Sequence, residues 1–95
     1  MISNFEWDKD KAITNIKKHK IGFEEAITVF IDPLARIFYD EAHSTDEVRE
    51  IIIGHSVNNR LLLICFIERA NSIRIFSARL ATQKEQQDYE ENVYS

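Results

Sequence analysis

Apolar and polar positions alternate in Phe5-Glu6-Trp7 and then change to a three-to-four spacing at Ala12, Ile13 and Ile16. The pattern predicts a short strand followed by a helix from Lys9 to His19. Asp8 stands at the N-cap position of that helix, and Lys20 to Gly22 closes it. Phe23, Ala26, Ile27 and Phe30 repeat the helical spacing, so a second, shorter helix is expected from about Phe23 to Phe30, stopped by Pro33. Leu34 to Tyr39 reads as a strand, and Asp40 to Asp46 has loop composition. The aliphatic and β-branched segments Val48 to His55, Leu61 to Ile67 and Ile73 to Ala78 follow at hairpin spacing. Thr82 to Val93 is polar, with Thr82 and Glu85 in capping-box spacing and an apolar face carried mainly by Tyr89 and Val93, which predicts a C-terminal helix. Helices segregated around an antiparallel meander of four strands make this an α+β fold.

Strand register assigns side chains to faces. A two-residue turn at Asn58-Asn59 sets Val57 opposite Arg60, Ile53 opposite Ile64, Ile51 opposite Phe66 and Arg49 opposite Glu68, the last a candidate cross-strand ion pair. A tight connection at Ala70-Asn71 sets Phe66 opposite Ile75, Ile64 opposite Ser77 and Leu62 opposite Arg79. Both sheet faces are then apolar at the centre. Such a sheet is covered on one side by its own helices and on the other, by this reading, by a partner protein.

Composition narrows the class. The chain has 95 residues, 44% of them hydrophobic and 29% charged, which fits one globular domain spanning residues 1–95. Its longest apolar run, Leu61 to Ile67, is far short of the roughly 20 residues of a membrane span. Polar residues from Asn4 to Lys9 interrupt any signal-peptide core. The lone cysteine, Cys65, lies inside that apolar run and reads as a buried, reduced and inert thiol in a cytoplasmic protein. His19, His43 and His55 match no zinc spacing, so no metal site is expected, and two glycines cannot build a nucleotide-binding loop.

The net charge of −4 weighs against a nucleic-acid binder until it is divided along the chain. Arg60 to Arg79 holds Arg60, Arg69, Arg74 and Arg79 against Glu68, a local +3, while Asp40 to Glu50 carries −4. Lys17, Lys18 and Lys20 gather beside His19 at the end of the first helix, where cations also complement the helix dipole. Guanidinium groups suit bidentate contacts to phosphate. Direct DNA binding has little support, because the first-helix lysines make no groove-reading stripe and the C-terminal helix is acidic.

Phe5-Glu6-Trp7-Asp8, Lys11, Asn15, Lys18-His19, Phe23-Glu24-Glu25-Ala26, Val29-Phe30, Asp32-Pro33, Ile53-Gly54, Glu68-Arg69, Ile73 to Arg79, Ala81-Thr82, Glu85 and Tyr89 together form an ordered set. That set resembles the BrnT-like toxin family over nearly the whole chain. The resemblance implies a RelE-like ribonuclease fold and a type II toxin that cleaves RNA without metal or cofactor and so inhibits translation. It also implies neutralisation by a BrnA-like antitoxin, whose DNA-binding domain carries the complex to operator DNA, and no membrane partner.

Metal-free RNA cleavage needs a base for the 2′-OH, cations for the phosphorane and an acid for the 5′-oxygen. Arg74 and Arg79, with Arg69 behind them, are the candidate phosphate cations. Histidine is the side-chain type that titrates nearest neutrality, so His19 is the leading acid or base, with Lys18 beside it and Glu68 as the alternate base. Arg60, Lys17 and His55 are candidate RNA contacts, and His43, His55 and Tyr89 stand in reserve for proton transfer. An ideal strand puts Arg74 and Arg79 on opposite faces, so either a bulge near Ser77 turns Arg79 or only one of the two is catalytic. The alternative is a protein-binding module whose apolar sheet and acidic segments hold an antitoxin and whose cleavage activity is lost.

Overall fold

A computed structural model describes residues 4–40 and 47–94, with side chains described to residue 92; His43 and the side chain of Val93 lie outside them. The element order is β1 (Asn4–Trp7), α1 (Lys9–His19), α2 (Phe23–Ala26), a 3₁₀ segment (Ile27–Ile31), β2 (Arg36–Tyr39), β3 (Glu50–His55), β4 (Leu61–Arg69), β5 (Ser72–Leu80) and α3 (Gln83–Tyr94). The five strands form one sheet in the order β1-β5-β4-β3-β2, with β1 parallel to β5 and the rest an antiparallel meander.

Local signals act as expected at several ends. The Asp8 carboxylate accepts hydrogen bonds from the Asp10 and Lys11 N–H groups at 2.8 and 3.1 Å. Lys20 closes α1 in the left-handed region (φ 62°), its N–H bonded to the Ile16 carbonyl. Thr82 and Glu85 form the capping box of α3: Thr82 N–H donates to Glu85 at 2.8 Å and Glu85 N–H to the Thr82 hydroxyl at 3.1 Å. The second helix is shorter than its spacing predicts, because α2 tightens at Ile27 into the 3₁₀ segment.

One hairpin differs from the expected register by a single residue. Ser56 N–H donates to the Arg60 carbonyl and Asn59 N–H to the Ser56 carbonyl, both at 2.9 Å, with Asn59 in the left-handed region (φ 59°). The turn therefore holds Val57, Asn58 and Asn59, and Ile51 faces Cys65 instead of Phe66. A one-residue slip moves every β3 side chain to the other face. Ile52 joins the helix-covered core, Ile51 and Ile53 turn to the opposite face, and Arg49 and Glu68 no longer share a side. The second turn falls where expected, the ladder closing at Arg69 and Ser72 around Ala70 and Asn71 with Phe66 opposite Ile75; beyond Phe66 the register shifts by one, so Ile64 faces Ala78 and Leu62 faces Leu80 instead of Ser77 and Arg79.

On the first face, α1, α2 and the 3₁₀ segment bury Ile21, Phe23, Ala26 and Val29 against Ile52, Leu62, Ile64, Phe66, Ile73, Ile75 and Ala78. Aromatic rings run through this layer, Phe5 to Phe30 to Phe66 and Trp7 to Phe23, with centroids 5.1 to 5.7 Å apart. The second face is partly covered by α3, whose Tyr89 is buried beside Ile53 and Leu63 and donates to the Leu34 carbonyl at 3.3 Å. Among the described residues, no other helix lies over it.

Gly54 lets the 3₁₀ segment and the turn after it close onto β3. A Cβ there would stand 2.9 Å from Ala35 Cβ, 2.9 Å from Asp32 Oδ2 and 3.1 Å from Val29 Cγ1. Asp32 has little freedom to move, since its carboxylate accepts from the His55 and Leu34 N–H groups. Gly54→Ala is expected to cost about 1–3 kcal/mol through overpacking, read as a lower urea midpoint with an unchanged slope.

Candidate active site

The open face is organised by an irregularity in β5. Phe66 pairs with Ile75 and Cys65 with Ser77, so Phe76 is an extra residue and the strand bulges. Ile73, Ile75 and Ala78 all point into the core, while Arg74, Phe76, Ser77 and Arg79 reach the open face. The bulge thus puts Arg74 and Arg79 on one side, which an ideal strand forbids.

Below the bulge lies a cleft of about 350 Å³ lined by Lys11, Asp40, Arg49, Cys65, Phe76, Ser77 and Arg79 over a floor of Ile51 and Leu63. A second groove of about 300 Å³, lined by Asp10, Thr14, Asn15, Lys18 and His19, shares Lys11, Phe76 and Ser77 with it. Cations therefore line both grooves, Arg79, Arg49 and Lys11 the first and Lys11 and Lys18 the second, with His19 beside Lys18. Lys11 Nζ lies 5.5 Å and Arg49 Cζ 4.6 Å from the centre of the Phe76 ring.

Arg79 is held from α3. Its Nη1 and Nη2 donate to the two Glu85 oxygens at 2.8 and 2.9 Å, and Nη1 also reaches the Leu80 carbonyl at 3.2 Å. The guanidinium beside it, aided by the Thr82 N–H, holds the Glu85 carboxyl down at about 2. Three of the five N–H groups are so engaged among the described residues. The Nε–H and outer Nη2–H remain along one edge of the plane, the edge that takes a phosphate bidentately.

The other predicted site residues are spread around the molecule. Arg69 is clasped by Glu47 at 3.0 and 2.8 Å, and it shares Glu6 with Arg74, each at 3.7 Å, at the end of the open face beyond the cleft. Glu68 faces the helix side of the sheet and is exposed, away from the arginine face. His55 lies at the α3 side, its ring 5.8 Å edge-on from Tyr89 and its N–H on Asp32 at 2.8 Å. Lys17 is exposed on α1. Cys65, expected to be buried, is half-buried on the cleft wall because β4 alternates it outward; its thiol meets Asp40 at 3.7 Å. Burial first, then the Asp40 charge, push that thiol's pKa up, which keeps it protonated. Lys11 and Arg49 are additions that sequence reasoning missed, although Lys11 lies one helical turn before Asn15 and Lys18 another beyond it.

Arg60 serves the fold. Its Nε donates to Glu25 Oε2 at 3.0 Å and its Nη2 pairs with the other oxygen, while the Ser56 hydroxyl donates to the same carboxylate at 2.6 Å. These contacts tie the β3–β4 turn to α2. Arg60 and Ser56 lower the Glu25 carboxyl from 4.5 to about 2 against the opposing effect of burial. A depressed folded-state value stabilises the protein above about 4.5 and is lost as the pH falls towards 2. Urea midpoints are expected to decline over that window, and Glu25→Gln to be less stable at neutral pH with a shallower decline. An unchanged acid slope in Glu25→Gln contradicts this.

A family model described as the ribonuclease toxin BrnT of type II toxin–antitoxin systems matches residues 7–85. The chain belongs to the BrnT family. Among solved structures, the crystal structure of the Brucella abortus ribonuclease toxin BrnT is similar with a TM-score of 0.66 and 24% identity, covering 85% of this chain and 100% of that one. At that identity the likeness speaks for the fold. Comparison with curated protein sequences gave no match. Among the described residues, no group of three His, Cys, Asp or Glu side chains is placed to hold a metal, and no helix is long and apolar enough to cross a membrane.

Proposed function

We propose that this BrnT-family chain is a metal-independent endoribonuclease that cuts RNA at the cleft beneath the Phe76 bulge and thereby inhibits translation. One observation carries the reading: the bulge turns Arg79 onto the face that Arg49 and Lys11 already share, beside the groove of Lys18 and His19. A phosphate on the open edge of Arg79 has Arg49 and Lys11 within the same cleft to stabilise the charge that grows in the phosphorane. Lys18 and His19 line the adjoining groove, which meets the cleft at Lys11, Phe76 and Ser77, and serve proton transfer to and from the 2′- and 5′-oxygens. The wall contributes Asp40 and a protonated thiol among several cations, a donor set suited to an anion rather than to a divalent ion. Arg74 extends the cationic face, Arg60 and Glu68 lie outside the site, and Glu85 is a positioning residue for Arg79.

The partner is a BrnA-like antitoxin in the cytoplasm, and operator DNA is reached through it. The protein-binding reading has one observation in its favour: edge strand β2 leaves Ile37, Phe38 and Tyr39 about half exposed. The two readings part on purified protein. The chain is expected to cleave RNA in excess EDTA, leaving 2′,3′-cyclic phosphate and 5′-hydroxyl ends, and co-expressed antitoxin is expected to restore growth. No cleavage by a folded sample, or cleavage abolished by EDTA, contradicts the nuclease.

A further inference from the structure

We propose that Phe76 is the stacking platform for one nucleobase of the bound RNA, so that the bulge supplies a base subsite as well as the arginine arrangement. The inference rests on reading the cleft as an RNA site, and it concerns what the site holds besides phosphate.

Five of the ten aromatic residues serve the helix-side core. Phe5, Trp7, Phe23, Phe30 and Phe66 pack ring against ring on the helix side of the sheet, as core aromatics do. Phe76 lies on the other face, half-buried, and the neighbours of its ring are the cationic ends of Lys11 and Arg49. It is also the residue that the β4–β5 ladder does not need: with Phe76 deleted, Ile75 and Ser77 would continue the register without interruption. A bulge that only filled the core would aim its extra side chain inward. This one aims a flat apolar ring at the junction of two cation-lined grooves, and both grooves count Phe76 in their walls.

That combination matches how single-stranded nucleic acid is held. Aromatic faces take the bases, and flexible cations take the flanking phosphates. Lys11 has a long, flexible stem, so it can leave the ring for a phosphate as a base arrives. Guanidinium planes stack on bases as well, so Arg49 can cover the outer face of the base that Phe76 supports from below. Phe76 and Arg79 line the same cleft, which sets the stacked base beside the phosphate held by Arg79 and leaves the adjoining groove for the neighbouring nucleotide.

The test is equilibrium binding of a cleavage-resistant 2′-O-methyl tetranucleotide, followed by fluorescence anisotropy, with abasic sites introduced one position at a time. Phe76→Leu keeps the apolar volume and removes the π face, and Phe76→Trp restores it; thermal unfolding shows that each variant is folded. Loss of one base at a single position is expected to weaken binding to the wild-type chain by about tenfold or more. Phe76→Leu is expected to weaken the intact ligand to a similar degree and to be indifferent to the abasic site at that position, whereas Phe76→Trp binds as the wild type does. Equal affinity of Phe76→Leu and wild type, or losses that multiply, overturns the base subsite while leaving the nuclease reading intact. A wild-type chain with no affinity for the tetranucleotide removes the RNA reading itself, and the subsite with it.

Discussion

Arg79→Ala is expected to lower the rate of RNA cleavage by about 10²- to 10³-fold, the usual cost of removing one preorganised donor from a developing oxyanion. The guanidinium is fixed before substrate arrives: Glu85 grips its far edge, and Glu85 is itself fixed by the capping box of α3. The donor edge towards the cleft therefore needs no reorganisation when charge develops on the phosphorane. Arg79→Lys is expected to fall between, because an ammonium keeps the charge and loses the fork. Glu85→Gln keeps the cation but loosens its grip, so a smaller fall in turnover with little change in substrate binding is expected. The pair is part-exposed, so thermal stability of Arg79→Ala is expected to change little. Single-turnover cleavage of a labelled RNA reads all three variants. A fall of less than tenfold in Arg79→Ala removes this arginine from the transition state.

The largest expected effect on stability belongs to Asn15. β1 pairs with β5 only as far as Trp7 and Ile75, so beyond the bulge the outer edge of β5 has no strand beside it among the described residues. Asn15 takes that place. Its Nδ2 donates to the Ala78 carbonyl at 2.8 Å and its Oδ1 accepts the Ala78 N–H at 3.1 Å, so the side-chain amide pairs with Ala78 as a neighbouring strand residue would. The second Nδ2 proton goes to the Ile21 carbonyl at 2.9 Å, fixing the chain as it leaves α1. The residue is 5% exposed, so water cannot replace these bonds. Asn15→Leu has nearly the same shape and orphans three backbone groups at about 1–3 kcal/mol each, partly relieved by relaxation. A loss of roughly 3 kcal/mol in equilibrium urea unfolding is expected. A loss below about 1 kcal/mol shows that β5 holds its bulge without the clamp. Because Ala78 adjoins Arg79, surviving Asn15→Leu protein is also expected to cleave more slowly.

How much of this is visible in the sequence depends on whether the cause is local. α1, its Asp8 cap, the capping box of α3 and the Ala70-Asn71 turn follow from residues within one turn of each other, and they form as their spacing predicts. The β3–β4 register does not, because Ser56 to Arg60 accommodates either a two- or a three-residue turn. The choice rests on Asn59 entering the left-handed region and on Arg60 reaching Glu25, which is 35 positions away. That single choice separated Arg49 from Glu68 and brought it to the cleft instead. The bulge was one of two options raised by the spacing of Arg74 and Arg79. Its long-range partner is Asn15, which clamps Ala78 just beyond the bulge from 63 positions away. Lys11 shares a helical face with Asn15 and Lys18, but Arg49 carried no signal of its own, since its pairing with Lys11 through Phe76 exists only after the sheet and α1 have closed on each other.

The central claim is that RNA binds the open face at the bulge. Backbone amide chemical shifts of the isotope-labelled chain, recorded as a cleavage-resistant 2′-O-methyl oligonucleotide is added, test it without depending on turnover. Binding at the bulge is expected to perturb the amides of Lys11, Lys18, His19, Arg49, Phe76, Ser77 and Arg79 as one set, weakening as salt is raised. Perturbations confined to the helix-covered side around Glu25, Arg60 and Glu68, or the absence of any perturbation at Phe76 and Arg79, would contradict it.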